Sequence, residues 1–233
     1  MDSYNFFYNS DGKISKAVSS FISLTYAYNT SGKLAGIAGS FSGSGDSGTG
    51  NIEFSYAGDA MTSYKVKESV TSGGKTATST ENVVFSYSGK SITSIVNTST
   101  STGSSASSDT DTFVYTEGNI TTRTNRYTCC NNLSGTNAYQ FKNYDTKKNP
   151  YALLAQLTGS PVSFMYGGLD DFFAFFSLSA NNPGTRVDGT ASTRTYSYVY
   201  NAQNYPTQIT YTYEGLGTNS CVDLVTITYS GCQ

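Results

Sequence analysis

Apolar and polar residues alternate with a period of two along most of the chain. Tyr196, Tyr198 and Tyr200 alternate with Thr195, Ser197 and Val199, and Ile209, Tyr211 and Tyr213 alternate with Gln208, Thr210 and Thr212. Near the C-terminus Val225, Ile227 and Tyr229 share a face. This period belongs to strands with one buried side. The alternation is punctuated by a phrase: Tyr8-Asn9-Ser10-Asp11-Gly12-Lys13-Ile14 recurs as Tyr28-Asn29-Thr30-Ser31-Gly32-Lys33-Leu34, and shortened as Tyr87-Ser88-Gly89-Lys90-Ser91-Ile92. Weaker copies begin at Tyr56 with Gly58, at Tyr115 with Gly118 and at Tyr200 with Asn204. Tyr28, Tyr56, Tyr87 and Tyr115 stand roughly 30 residues apart, one hairpin unit each, and Tyr200 to Tyr229 repeats that interval. Asn, Ser, Asp and Gly tolerate the positive φ of tight turns, so each phrase reads as a strand end, a turn and the next strand start, with the aromatic facing the Ile or Leu across the pair.

This reading predicts an all-β fold of antiparallel up-and-down hairpin repeats, a barrel-like or strongly curved sheet of about 14 strands. They fall near 3–8, 13–20, 22–29, 33–41, 50–57, 60–71, 80–88, 91–98, 111–116, 119–128, 138–144, 193–201, 206–214 and 221–229. The runs Ser42 to Gly50, Thr71 to Thr80 and Asn97 to Ser108 are almost free of apolar residues and read as long hairpin loops. Residues 144–183 break the pattern. Asn149-Pro150 ahead of Tyr151-Ala152-Leu153-Leu154 supplies an N-cap, a proline at the first helical position and an apolar stripe, which predicts a short helix. Asp170-Asp171 before Phe172-Phe173-Ala174-Phe175-Phe176 reads as the start of a second or, almost as well, as a buried strand, so one or two short helices are expected within 149–177. These apolar pieces are suited to plug or cover one side of the sheet. No run resembles an interdomain linker, and a single all-β domain over 1–233 is expected.

Composition narrows the chemistry. The 233 residues include 20 Tyr, 13 Phe and 23 Gly but no His and no Trp, and only 13% are charged, for a net charge of −2. Without His, the commonest general base, metal ligand and partner of Ser or Cys nucleophiles is missing. With basic residues few and scattered, no stripe is available to neutralise phosphates, so no nucleic-acid partner is expected. No cofactor and no enzymatic activity are expected. No segment approaches the ~20 apolar residues of a spanning helix. Met1 ahead of Asp2-Ser3-Tyr4 has the look of an added start; if the chain is a trimmed secreted protein, its signal or lipid anchor was removed upstream, so the absence of one here says nothing against export.

The four cysteines, Cys129, Cys130, Cys221 and Cys232, lack C-x-x-C spacing and suit an oxidising compartment. An extended strand over 222–229 would hold Cys221 and Cys232 roughly 11 residues apart at ~3.3 Å each, beyond the ~4.4–6.8 Å Cα separation of a disulfide. Adjacent Cys129 and Cys130 point to opposite faces of a strand. Any disulfides are therefore expected to join that pair to Cys221 or Cys232.

Several residues carry candidate chemistry. The Tyr-rich faces read either as a semi-polar core or as a glycan platform on which sugars stack. Asp170 and Asp171 invite a carboxylate-pair reading, but adjacent residues rarely straddle a scissile bond at the ~5–9 Å it needs, and helix capping is the plainer role. Asp46, or Asp109-Thr110-Asp111, could offer oxygen to calcium, though neither has the spacing of a calcium loop. The most distinctive string is Tyr144-Asp145-Thr146-Lys147-Lys148-Asn149-Pro150-Tyr151. It either presents Tyr144, Asp145, Lys147 and Lys148 to a polar ligand, or uses Asp145 for turn amides and Asn149 as a helix cap.

The Tyr-x-x-x-Gly-Lys-Ile/Leu repeats, the Tyr144-to-Tyr151 string, the Asn181-Asn182-Pro183 turn and the Thr/Tyr-alternating final strands resemble a family of uncharacterised secreted or lipid-anchored Bacteroidetes proteins with porin-like β-architecture. The resemblance covers nearly the whole chain and implies export and fold, without assigning a catalytic residue. A more distant similarity is to the YD repeats of Rhs-type shell proteins, though here the Asp after Tyr is generally missing and Lys replaces Arg. A transmembrane barrel needs ~9–11-residue strands with a continuous apolar lipid-facing band. Here Tyr sits mid-strand, alternation is shorter, and the chain ends in Ser230-Gly231-Cys232-Gln233, so the strands are expected not to span a membrane. The expectation is a monomeric, non-catalytic protein, periplasmic or on the cell surface, that binds or displays toward a glycan or an envelope protein. A carboxylate-based glycan-processing enzyme and a membrane pore are the alternatives.

Overall fold

The computed structural model describes residues 4–129, 133–153, 177–189, 192–214 and 220–229. Their strands are β1 (Asn5–Tyr8), β2 (Ile14–Val18), β3 (Ile22–Tyr28), β4 (Leu34–Gly43), β5 (Asp46–Ala57), β6 (Ala60–Ser72), β7 (Lys75–Ser88), β8 (Ser91–Ser101), β9 (Ser107–Thr116), β10 (Asn119–Cys129), β11 (Leu133–Lys142), β12 (Thr185–Asp188), β13 (Ser192–Tyr200), β14 (Pro206–Glu214) and β15 (Ser220–Thr226). They form one 15-stranded sheet in which every strand pairs antiparallel with its sequence neighbours, and which does not close on itself. A helix starts at Pro150, and its first turn, 150–153, is described. Asn149 caps it, its Oδ1 accepting the Tyr151 N–H at 2.9 Å. The second helix expected at 172–176 and the pair Asp170-Asp171 lie outside the described residues.

The three polar runs expected as loops are largely strand. Gly43 pairs with Asp46 and Ser72 with Lys75, so the β4–β5 and β6–β7 connections shrink to Ser44-Gly45 and Gly73-Gly74. Both central residues have positive φ in each case (52° and 89°; 55° and 76°), the geometry of a turn whose twist matches the flanking strands. Thr forms strands readily, and Thr/Ser-rich strands with no apolar side to bury carry no alternation to betray them. The β8–β9 ladder likewise runs out to Ser99 and Ser107. A strand not anticipated is β12, and β11 begins at Leu133 instead of 138.

One face of the sheet carries the core. Ile14, Leu34, Met61, Ile92, Ile120 and Ile209 are each at most 2% exposed, and each such side chain contributes about 1.5–3 kcal/mol relative to exposure. A buried cluster over β2–β6 and a larger one from β6 to β14 share Phe54 and Tyr64 as partly buried neighbours, so the apolar stripe is continuous. The opposite face is ribbed with Ser, Thr, Lys and Glu, as in Ser63, Lys65, Lys67 and Ser69 on β6, or Thr122, Thr124 and Arg126 on β10.

The repeated tyrosine acts at the seams between hairpins. The β2–β3, β4–β5, β6–β7, β8–β9, β10–β11, β12–β13 and β14–β15 ladders all stop short of the sheet end where the phrases lie. There a phenol takes the carbonyl that the ladder leaves. Tyr28 donates to Ile14 O (2.7 Å), Tyr56 to Leu34 O (2.7 Å), Tyr87 to Met61 O (2.6 Å) and Tyr115 to Ile92 O (2.8 Å). Tyr144 donates to Ile120 O (2.6 Å), Tyr198 to Pro183 O (2.8 Å) and Tyr229 to Pro206 O (2.8 Å). Within the hairpins the register slips by one residue just after the aliphatic position, at β1–β2, β3–β4, β5–β6, β7–β8, β9–β10 and β13–β14. Such bulges add local twist, and repeating them at one end coils the whole sheet the same way. The Lys of the phrase reaches the next unit: Lys13 lies over the Tyr28 ring and donates to Gly32 O, and Lys33 lies over Tyr56 and donates to Gly58 O.

Candidate functional site

The Tyr144-to-Tyr151 string leaves β11 at the tyrosine end of the sheet and meets residues 177–184 and the β13–β14 turn there. Asp145 Oδ1 accepts the Lys147 N–H at 2.9 Å and the Asn182 N–H at 3.2 Å, while Oδ2 accepts Asn182 Nδ2 at 3.1 Å and the Tyr200 hydroxyl. Lys147 Nζ donates to Asn204 Oδ1 at 2.8 Å, and Lys148 lies 4.6 Å from the Tyr205 ring centre. Tyr144 bonds Ile120 O and approaches Ser179 Oγ at 3.3 Å. The structure thus brings all four candidate ligand residues together, with each side chain already engaged within the chain. Buried Asn149 and Asn182 complete the arrangement: Asn149 Nδ2 donates to Ser179 O at 2.9 Å and Asn182 Nδ2 to Lys148 O at 3.0 Å. It is a polar clasp joining three segments distant in sequence.

Burial governs its acid-base behaviour. The Tyr144 phenol is pushed up to about 12 by desolvation. Tyr200 is also raised, by burial first and then by the Asp145 carboxylate that its hydroxyl faces. Tyr198 is raised further, again by burial and then by the surrounding phenols. These hydroxyls are held neutral as donors, which suits clasping.

Beyond the apolar stripe, the core face carries a charged and aromatic band that sequence reading missed. Arg123 bonds Asp111 through Nε at 2.7 Å and through the second guanidinium nitrogen at 3.2 Å, and both side chains are nearly buried. Arg186 pairs with Asp188, and Tyr139 lies between Arg123 (5.1 Å) and Arg186 (4.5 Å). The band was hidden because the spacing of Asp109-Thr110-Asp111 does not tell which carboxylate turns inward, whereas Asp111 sits inward on β9, opposite Ile95. Burial, then Asp111, raises the Asp109 pKa. Asp46 is exposed beside the Ser44-Gly45 turn. Among the described residues, no group of three or more His, Cys, Asp or Glu side chains could hold a metal ion. Cys129 closes β10 and Cys221 lies in β15, while Cys130 and Cys232 lie outside the described residues.

A cavity of about 130 Å³ opens on the core face of β3–β6, lined among others by Leu24, Ile37, Phe41, Ile52, Val66 and Glu68. Its lining includes one carboxylate, Glu68, where a carboxylate-pair hydrolase would need two. Among the described residues no helix is long and apolar enough to cross a membrane.

Solved structures place this architecture in a known class. A porin-like protein from Bacteroides vulgatus superimposes with a TM-score of 0.51 at 15% identity, covering 90% of this chain and 93% of that one. A porin-like protein from Bacteroides uniformis gives a TM-score of 0.43 at 11% identity, covering 97% and 93%. The first of these gives the chain a porin-like fold. No family model matches the sequence, and no curated protein does.

Proposed function

We propose that this chain is a non-catalytic protein of the bacterial cell envelope, acting outside the cytoplasm, in the periplasm or at the cell surface, as a monomeric single-domain binding or display module for a glycan or an envelope protein. The observation that carries this reading is the division of the sheet into two faces. Aromatic and aliphatic side chains turn to one side, where phenols and guanidinium groups are engaged within the chain. Ser, Thr, Lys and Glu cover the other. A lipid-facing barrel wall needs the reverse, a continuous apolar band outside. Exposed apolar residues on the polar face, such as Val84, Val114 and Val199, are scattered among hydroxyls.

The test is twofold. Purified protein is expected to stay monodisperse in detergent-free buffer and to give no conductance steps in planar bilayers, and a glycan array with a pull-down from envelope extract is expected to yield a retained ligand. Channel conductance would overturn the reading in favour of a pore. Turnover of an array glycan would overturn it in favour of an enzyme.

A further inference from the structure

We infer that the cavity on the core face of β3–β6 is a binding site for a small hydrophobic ammonium compound, an apolar group of about benzene size bearing a cationic amine. This inference stands apart from the envelope reading.

The cavity follows from the register. Ile37 lies opposite Ile52, Gly39 opposite Gly50, and Phe41 opposite Gly48, while Leu24 flanks Gly39 and Glu68 flanks Gly50. One row across the sheet therefore runs Leu24, Gly39, Gly50, Glu68, with two adjacent strands contributing no side chain. The rows on either side are filled, by Ile37, Ile52 and Val66 above and by Phe41 below, whose ring covers Gly48 closely enough that a Cβ there would stand 2.3 Å from it. The gap is thus a walled depression with a backbone floor. Interior strand glycines weaken a sheet, and neither Gly39 nor Gly50 has the positive φ that would explain its choice. Space explains Gly39, whose Cβ would meet Leu24 Cδ2 at 2.9 Å, but not Gly50, whose Cβ would make only ordinary contacts of 3.5 Å and beyond.

Volume and polarity define the occupant. The cavity holds about 130 Å³, close to the ~150 Å³ apolar cavity that takes benzene. Its walls are aliphatic and aromatic, with Glu68 at the rim. Glu68 Oε2 is anchored by the Ser79 hydroxyl at 3.3 Å, and Oε1 lies 3.9 Å from the position of a Gly50 Cβ, directed at the gap. An anionic oxygen beside an apolar depression selects a donor, and a cationic amine most strongly.

Benzylamine is the probe, with benzyl alcohol and benzoate as matched controls, followed by methyl NMR and calorimetry on the whole protein. Benzylamine is expected to shift the Leu24, Ile37, Ile52 and Val66 methyl resonances with a Kd of about 1 mM or tighter, benzyl alcohol to bind at least ~10-fold more weakly, and benzoate not to bind. Glu68→Gln should remove the preference for the amine while leaving benzyl alcohol unchanged. Gly50→Val should abolish binding of benzylamine and benzyl alcohol, and Gly50→Ala, which the contacts accommodate, should weaken both and serves as the test where the valine variant fails to fold. Equal binding of the three probes, no methyl shift at 10-fold the expected Kd, or undiminished binding to the folded Gly50 variants would each overturn the inference.

Discussion

Replacing Tyr144 by Phe removes one hydroxyl, and with it the seam bond to Ile120 O and the weaker 3.3 Å contact with Ser179 Oγ. The ring keeps its packing, so no cavity term enters. The lost bond to Ile120 O is short, at 2.6 Å, and Ile120 is 2% exposed, so water has poor access to the abandoned carbonyl. A net hydrogen bond of about 1 kcal/mol plus part of the ~1–3 kcal/mol for a stranded buried acceptor gives about 2 kcal/mol. For a chain of this size that corresponds to a Tm lowered by roughly 4–8 °C. The pH dependence makes the test specific. Tyr144 is raised from 10.0 to about 12 by burial, so between those values the folded protein holds a proton that the unfolded chain has released. Its contribution is therefore complete below pH 10 and is lost as pH rises through about 12, on the order of 3 kcal/mol in all. Tyr26 and Tyr56, also raised to about 12 by burial, titrate alike in both proteins and cancel from the difference. Urea titrations from pH 8 to 11.5 should show the parent ahead by about 2 kcal/mol at pH 8 and the gap closing toward pH 12. A gap below 0.5 kcal/mol at pH 8, or one that stays constant on alkalinisation, would refute the seam argument.

Other perturbations test other parts of the structure. Arg123→Met strands the Asp111 carboxylate, whose side chain is 9% exposed, and should cost about 3–5 kcal/mol in chemical denaturation; a loss under 1 kcal/mol would mean that the pair is solvated. Gly74→Ala, at φ 76° with open space around it, should cost about 1 kcal/mol through backbone strain alone, and an unchanged urea midpoint would contradict the two-residue turn. Lys33 holds the Asp59 carboxyl below its ordinary range by hydrogen bond and charge, so Lys33→Gln should return it upward in a carboxyl-carbon NMR titration. Non-reducing peptide mapping should find Cys129 or Cys130 linked to Cys221 or Cys232; a Cys221–Cys232 linkage would require the chain to turn back after β15 (Ser220–Thr226).

The phrase Tyr-x-x-x-Gly-Lys-Ile was enough to place the hairpins, because turn chemistry and two-residue alternation are local. The task of its tyrosine was not legible. A phenol reaching the carbonyl of a residue 14 to 26 positions earlier depends on where each ladder ends, and alternation says which side a residue faces without saying where pairing stops. Ser42–Gly50 and Thr71–Thr80 read as loops for the converse reason: strands polar on both sides have no alternation, and only the Ser44-Gly45 and Gly73-Gly74 pairs mark the true turns. Strand β12 escaped because it is four residues long and its inward side chain is Arg186, buried against Tyr139. Within the clasp, the Asx turn at Asp145 and the cap at Asn149 were readable from spacing, whereas Asn182 and Tyr200 reach Asp145 from 37 and 55 residues away.

Every pairing from β1 to β15 is antiparallel, so the first and last strands run in the same direction. A seam between them would have to be parallel, unlike any other among the described strands, while two copies related by a two-fold axis would set β1 against β1 in the ordinary antiparallel sense. Growth by duplication does not alter this. A hairpin adds two strands at a time, and an odd sheet lengthened by twos stays odd, so repeating the unit leaves the two margins running the same way.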